Sequence, residues 1–200
     1  VNVGLYGLTG NSGERAQFGQ YNGLRFVGSA AGILDFSYFR QEVEQGTSLL
    51  FTGNTLALQT RELGLDWKNQ GDWKVGASFN QQVHYDPYSA NTGMLGFGST
   101  SPQVVALPGG TGTGTEQDFK VSRTAIGLSF WKSLAPSLSL DVNLKTEDRE
   151  GSRVFGTGFS CPSSVAPGCR GATAANTGSA VLMLPEPIDS NQTQVEARIN

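Results

Sequence analysis

Residues 137–147 read SLSLDVNLKTE, and this stretch contains the clearest pattern in the chain. Leu138, Leu140, Val142 and Leu144 alternate with polar residues at every intervening position. Because successive side chains of a β-strand point to opposite faces, the stretch predicts a strand with one apolar and one polar face. Such a strand suits either a membrane barrel or the half-buried sheet of a soluble β-sandwich.

The same alternation recurs from one end of the chain to the other. It is found, with varying clarity, in segments 1–8, 31–42, 47–54, 60–68, 72–84, 122–132 and 194–200. No segment shows a convincing helical period. We therefore predict an all-β, antiparallel chain of about eight strands and no helix.

The composition narrows the class of protein. Charged residues make up 16 % of the chain and Gly 27 of 200 residues, against roughly 25 % and 7 % in an average soluble domain. The longest apolar run, 181–184, is far short of the ~18 residues of a membrane-spanning helix. A net charge of −3 without a Lys/Arg cluster argues against nucleic-acid binding. A membrane barrel and a secreted β-sandwich both remain compatible with these values.

The connections between the predicted strands fall into two groups. Segments 43–46, 69–71 and 133–136 are short and contain Gly or Pro. The alternate connections are 9–30, 55–59, 85–121 and 150–191, and most of them are long. Short turns at one rim and long loops at the other are typical of an up-and-down transmembrane barrel, with the turns in the periplasm and the loops outside the cell.

The three tryptophans lie beside the short connections. Trp67 and Trp73 bracket segment 69–71, and Trp131 precedes segment 133–136. Indole rings favour the boundary between hydrocarbon and lipid headgroups, so this placement predicts an aromatic girdle at the short-turn rim. The alternative is three tryptophans at strand ends in a soluble core.

The cysteines and the histidine offer little reactive chemistry. Cys161 and Cys169 flank a short Pro- and Gly-containing loop, which favours a local disulfide in an oxidising compartment over two free thiols. His84 is the one histidine, so we expect no zinc or haem site and place it at a wet rim. Nucleophile and phosphate-loop motifs are missing, and we expect no enzyme activity.

A calcium site is conceivable in two places. Glu147, Asp148 and Glu150 follow one another closely, and Asp86 lies near another strand end. Carboxylates on loops are suitable calcium ligands, but their spacing matches no calcium motif. We favour a solvated, charged rim at both places.

The polar faces of the predicted strands combine both signs of charge with amides. In a barrel they line the lumen, where we expect them to contact whatever the lumen holds. These residues are Glu62, Asp66, Lys68, Lys74, Asn80, Gln82, Arg123, Asp141, Asn143, Lys145, Glu196 and Arg198. Such a wall suits water or a polar protein and is unsuited to a hydrocarbon.

Four segments carry a resemblance to a known family. The sequence FGQYNGL at 18–24 resembles the Phe-Gly-x-Tyr-x-Gly-Leu segment of the MtrB/PioB family, outer-membrane barrels associated with decahaem cytochromes. TRELGL at 60–65, VALP at 105–108 and LPEPID at 184–189 are similar to that family and occur in its order. The Cys-x-x-Cys near the start of some members is absent here, so any role tied to it is in doubt.

The resemblance implies a fold, a location and a partner. Family members sit in the bacterial outer membrane and enclose a multihaem c-type cytochrome, insulating an electron path across the membrane. The family barrel is much larger, so residues 1–200 are expected to be one segment of it, truncated at the C-terminal end. The sequence has no Cys-x-x-Cys-His for attaching a c-type haem, so any haem belongs to a partner. The alternatives are a water-filled diffusion porin and a secreted β-sandwich adhesin or carbohydrate-binding module.

Overall fold

A computed structural model describes residues 1–25, 30–90, 101, 116–161 and 178–200. Cys169 lies outside these residues, as do segment 105–108 and parts of the long connections predicted at 85–121 and 150–191. The disulfide between Cys161 and Cys169 therefore stays a prediction.

The described chain is built almost entirely of β-strands. The elements are β1 Asn2–Gly7, α1 Ser12–Phe18, β2 Ala30–Glu42, β3 Thr47–Asn54, β4 Arg61–Asn69, β5 Trp73–Ala90, β6 Gln117–Ala135, β7 Leu138–Cys161 and β8 Gly178–Ile199. All the strands belong to one eight-stranded sheet, in which their order is their order along the chain. The prediction of an antiparallel up-and-down arrangement is confirmed, and within the described residues β1 and β8 are the two edges of the sheet.

The strand register keeps apolar residues on one face and polar residues on the other. Phe51 pairs with Leu65, and Leu65 with Ala77, across β3, β4 and β5. On the opposite face Asp66 pairs with Gly76. A shift of the register by one residue would move every side chain of a strand to the opposite face. The tight turns prevent such a shift because they fix the register of the strands they join.

Two glycines make these tight turns possible. Gly46 and Gly71 adopt positive φ angles of 66° and 77° in the β2–β3 and β4–β5 turns. Side chains other than that of glycine are strained in this region of backbone conformation. The turns thus hold neighbouring strands at one register.

The contact between β5 and β6 is made by glycines that face serines. A Cβ atom built on Gly76 would overlap the hydroxyl of Ser129, and one built on Gly127 would lie 2.5 Å from the hydroxyl of Ser78. Gly76 is therefore opposite Ser129, and Ser78 is opposite Gly127. Two residues further along β6, Trp131 lies on the same face as Ser129 because side chains alternate with a period of two.

Strands β5 to β8 extend beyond the predicted boundaries. Connections expected at 85–121 and 150–191 contain the ends of β5 and β7 and the beginnings of β6 and β8. The prediction was wrong because Gly, Ser and Pro interrupt the alternation there, whereas backbone pairing with a neighbouring strand does not require apolar side chains.

The chain divides into two compact units. One comprises Val1–His84, Ser122–Glu150 and Asp189–Asn200, and the other comprises Tyr85–Val121 and Gly151–Ile188. In the first unit the parts of β5 to β8 are about 11–14 residues long, close to the roughly 9–11 residues of a tilted membrane-crossing strand.

The short helix α1 was not predicted. The Asn11 side chain accepts a hydrogen bond of 2.9 Å from the Glu14 N–H, and the Glu14 carboxylate accepts one of 3.1 Å from the Asn11 N–H. This reciprocal capping box satisfies two N–H groups that the first turn would leave unpaired. A helix of 7 residues is too short to show a helical period, but the Asn-x-x-Glu spacing was a usable signal. No helix among the described residues is long and apolar enough to cross a membrane.

The segment after α1 packs against the start of β4 and against β5. Gly23, at φ 72°, brings the chain so close that an added Cβ would lie 3.0 Å from the backbone nitrogen of Gln59. The Thr60 hydroxyl donates a 3.0 Å hydrogen bond to the Tyr21 carbonyl. The Tyr21 ring stacks on the His84 ring with centroids 4.4 Å apart. The FGQYNGL segment thus joins residues that are far apart in the sequence.

Candidate functional site

The polar face of β4 to β7, within the first unit, contains a cavity of about 550 Å³. Small residues from three neighbouring strands, Gly64, Gly76, Ala125 and Gly127, line it together with longer polar side chains. Because the small residues leave space above the backbone, the polar groups around them can reach into the cavity. Six of the predicted lumen residues line it: Asp66, Asn80, Gln82, Arg123, Asn143 and Lys145.

Across β4 and β5 the polar side chains of this face are paired. The Lys74 ammonium lies 3.2 Å from the Asp66 carboxylate, and Asn80 donates a 2.9 Å hydrogen bond to Glu62. Asp66 and Lys74 are both about half exposed. Water screens such exposed pairs, so each contributes on the order of 0–1 kcal/mol to stability. These residues determine the chemistry of the surface more than its stability.

A denser cluster surrounds Glu147. Its carboxylate lies 3.0 Å from Arg123 and 3.6 Å from both Lys145 and Arg149. The Glu147 side chain is 18 % exposed, whereas its three partners are 40 %, 60 % and 47 % exposed. Glu147 is thus the inner member of a group whose cations face solvent. Sequence reasoning placed Glu147 in a possible calcium site, and the contacts with three cations make that role unfavourable.

The remaining predicted lumen residues lie on β7 and β8. Backbone hydrogen bonds of 2.7 and 3.0 Å join Ser139 and Asn200, and this register places Asn143 opposite Glu196. Arg198 forms an ion pair of 2.5 Å with Glu196, and Asn143 donates a hydrogen bond to Asp141. Glu196 and Asp141 therefore each have a side-chain partner on their own strand.

A second cavity of about 480 Å³ lies at the short turns of the first unit. Lys68 and Lys74 line it together with Phe39, Trp73 and Trp131. Both predicted lysines thus line a cavity that also contains aromatic side chains.

The three tryptophans share one end of the sheet but not one face. Trp67 and Trp73 pack edge to face with ring centroids 4.9 Å apart, on the face that carries Val75. Trp131 lies on the polar face, with Ser129. Its place in the predicted girdle therefore needs correction: alternation in β6 assigns Ile126, Leu128 and Phe130 to the other face, which excludes Trp131 from it.

The apolar face of β6 and β7 is open. Ile126, Leu128 and Phe130 are 47 %, 51 % and 40 % exposed, and Leu138 and Leu144 are 41 % and 37 % exposed. No second sheet covers these side chains among the described residues, because every described strand belongs to the one sheet. A soluble β-sandwich buries such a stripe against a second sheet, so its exposure favours the membrane barrel.

His84 is not a free rim side chain in the structure, since it stacks on Tyr21. Within the parts of the chain that the structure describes, no three His, Cys, Asp or Glu side chains converge as metal ligands would. Asp86, the other calcium candidate, is in β5 and belongs to the second unit.

The second unit contains an ion pair that sequence reasoning missed. Arg153 donates a 2.6 Å hydrogen bond to the Glu186 carboxylate. This hydrogen bond lowers the pKa of Glu186 and raises the pKa of Arg153, because it favours the charged form of each group. The residues are on different strands, and no local sequence signal identifies a partner that depends on the register of β7 and β8.

Comparison with known proteins agrees with this geometry. A family model described as outer membrane beta-barrel porin, MtrB/PioB, matches residues 10–200. A search of curated proteins finds no match to the chain. The matched range includes both cavities, the Glu147 cluster and the three tryptophans.

Proposed function

Because the chain belongs to the MtrB/PioB family of outer-membrane β-barrel proteins, we propose that it forms part of a wall around a multihaem c-type cytochrome. In this role the protein is a scaffold without a reaction of its own. The barrel insulates the haem groups of the partner and holds them across the outer membrane, so that electrons pass between periplasm and cell exterior.

The observation that supports this role best is the contrast between the two faces of the sheet. One face exposes an apolar stripe suited to lipid, including Leu128 and Leu138. The other carries ion pairs and amides around a cavity, with Asp66, Arg123 and Lys145 among them. A folded polar protein can form hydrogen bonds and ion pairs with such a wall, whereas lipid cannot.

The sequence is compatible with a partner that supplies the redox centre. Its two cysteines, Cys161 and Cys169, are not part of a Cys-x-x-Cys-His motif. A c-type haem attaches through that motif, so this chain does not anchor one covalently. The electron path would run through the partner, and the barrel would exclude water and small reductants from it.

The sheet alone does not enclose a lumen. Its edges, β1 and β8, have no strand beyond them among the described residues. Open edges are not stable in lipid, because their backbone groups would lack hydrogen-bond partners. We propose that further strands close the barrel.

Purification from membranes tests the proposal. The full-length protein is extracted in mild detergent and isolated by an affinity tag, and the preparation is stained for covalently bound haem. We expect a haem-bearing partner at a fixed ratio to the barrel. Deleting the barrel gene should also stop reduction of an electron acceptor that cannot enter the cell, and the restored gene should recover it. A preparation without haem, together with unchanged extracellular reduction, would refute the sheath.

A diffusion porin is the second candidate, favoured by the family description and by the charged and amide side chains that line the first cavity. The two functions differ in a flux measurement. An open porin admits small sugars into liposomes at a rate that does not depend on any cytochrome, whereas a filled sheath admits them only after the partner has been removed.

A further inference from the structure

We infer that Arg123, Lys145 and Arg149 form a cationic seat on the polar face that binds carboxylate groups of the molecule inside the barrel. Glu147 holds the three cations together. The identity of the occupant rests on the proposed function, whereas the preference of the seat for anions follows from the geometry alone.

The geometry of the seat is that of a shared inner anion. One carboxylate contacts all three cations at 3.0 to 3.6 Å. Glu147 is the least exposed of the four side chains, and Lys145 is the most exposed. The three cations therefore share Glu147 as a partner, while part of each side chain stays in contact with solvent.

The charges of the seat do not cancel. Three cations share one carboxylate, which leaves two positive charges unmatched. Asp148 and Glu150 do not compensate them on this face, because side chains of a strand alternate and both residues have the parity of the opposite face. The seat is thus a positive region of the polar face.

Two ion pairs of the polar face differ from the seat in this respect. Asp66 is matched by Lys74 at 3.2 Å, and Glu196 is matched by Arg198. Both of these are one-to-one pairs without excess charge. An anion close to the wall would gain most at the seat, where two arginines and a lysine can donate hydrogen bonds to its oxygens.

Carboxylate is the ligand that fits these donors and a protein occupant. On a multihaem protein it has two sources, Asp or Glu side chains and the propionate groups of haem. In either case complementary charge fixes the orientation of the partner more than it adds affinity, because the seat cations are already partly neutralised and partly solvated.

The first test measures how salt releases the partner. Full-length barrel and haem-bearing partner are purified together on a resin and washed with rising NaCl, and haem is followed in the eluate. The variant Lys145→Gln/Arg149→Gln removes both excess charges and keeps the closest pair, Arg123 with Glu147. We expect it to release the partner at lower salt than the wild type.

The matched control is Arg40→Gln/Glu42→Gln, an ion pair on the opposite face of the sheet, which carries Trp67. It also removes two charged groups, but it leaves the net charge unchanged. We expect its release profile to coincide with that of the wild type. Equal profiles for all three proteins would overturn the seat while leaving the sheath function intact.

The second test identifies the source of the carboxylate. A water-soluble carbodiimide joins an amine to a carboxylate in direct contact, and mass spectrometry then identifies the group that is cross-linked to Lys145. A product that joins Lys145 to a partner peptide identifies an Asp or Glu of the partner, and one that joins it to haem identifies a propionate, whereas a product with the neighbouring Glu147 identifies neither. Loss of the partner product in Lys145→Gln is the required control, and no partner product from Lys145 in the wild-type complex counts against the seat.

The third test works without a partner. Barrel freed of partner is inserted in planar bilayers under a KCl gradient, and the reversal potential is recorded. We expect Lys145→Gln/Arg149→Gln to shift it toward cation preference and the control to leave it unchanged. If the reversal potential shifts but no haem-bearing partner is purified with the barrel, the anion seat is retained and the sheath function is rejected. If the reversal potential does not shift, the seat is rejected.

Discussion

Neighbouring residues of β7 face different media, and Val142 and Asn143 are the simplest pair on which to measure this. Val142 has the parity of the exposed Leu138 and Leu144, while Asn143 lines the polar cavity. A barrel in a membrane therefore places the first in lipid and the second in water. Their alternation was clear from the sequence, and the structure adds which groups each face contacts.

We expect Val142→Arg to lower the free energy of unfolding by about 2–4 kcal/mol, because it places a charge near the middle of the bilayer. Asn143→Arg is the matched control and should change it little, since the added cation projects into water. Urea unfolding of the full-length protein in lipid vesicles, followed by tryptophan fluorescence, gives both values. Equal losses for the two variants would contradict the assignment of the faces.

The segment between β1 and β2 is the part of the chain that sequence reasoning described least well. It was predicted as a loop, but it contains a capped helix and a turn fixed by Gly23. From the sequence, segment 18–24 was identified only by its resemblance to the family, and no structural role was predicted for it. The structure gives that motif a physical meaning, because Tyr21 reaches His84 and its carbonyl accepts a hydrogen bond from Thr60.

Removing the Tyr21 ring should loosen this element. We expect Tyr21→Ala to cost on the order of 0.5–1.5 kcal/mol of local stability from the lost stacking, and Tyr21→Phe to cost less because the ring stays. Hydrogen exchange of the backbone amides in 19–25, with Leu24 buried at their end, measures local opening. Identical exchange in both variants and the wild type would show that the stack does not hold the segment.

The tryptophans can show which face of the sheet contacts lipid and which faces the lumen. Trp67 and Trp73 share the face of Val75, so their rings should meet lipid, whereas Trp131 should meet the lumen. Both groups lie at the short-turn end, so depth alone does not separate them. A barrel in a bilayer separates them by the phase that each contacts.

We expect lipids brominated near the headgroup to quench a variant that retains only Trp67, and to leave one that retains only Trp131 largely unquenched. Phe replaces the other tryptophans, including any in the rest of the protein. Aqueous acrylamide should show the opposite preference. Strong lipid quenching of Trp131 would restore the original three-residue girdle and contradict the β5–β6 register.

The local pattern of the sequence was sufficient to predict the class of fold, the order of the strands and the face on which most side chains lie. These properties depend on the alternation of apolar and polar side chains and on the short turns after β2, β4 and β6. Both features are determined by residues close together in the sequence. The polar residues Arg123, Asn143 and Lys145 could be assigned to one wall for the same reason.

The partners of those residues were decided only by the tertiary structure. Glu147 meets Arg123 from the neighbouring strand and Tyr21 reaches His84, across 24 and 63 positions of the chain respectively. Each meeting depends on the register between strands or on the path of a connection. Register is set by many backbone hydrogen bonds and side-chain contacts acting together, so no single stretch of sequence contains it.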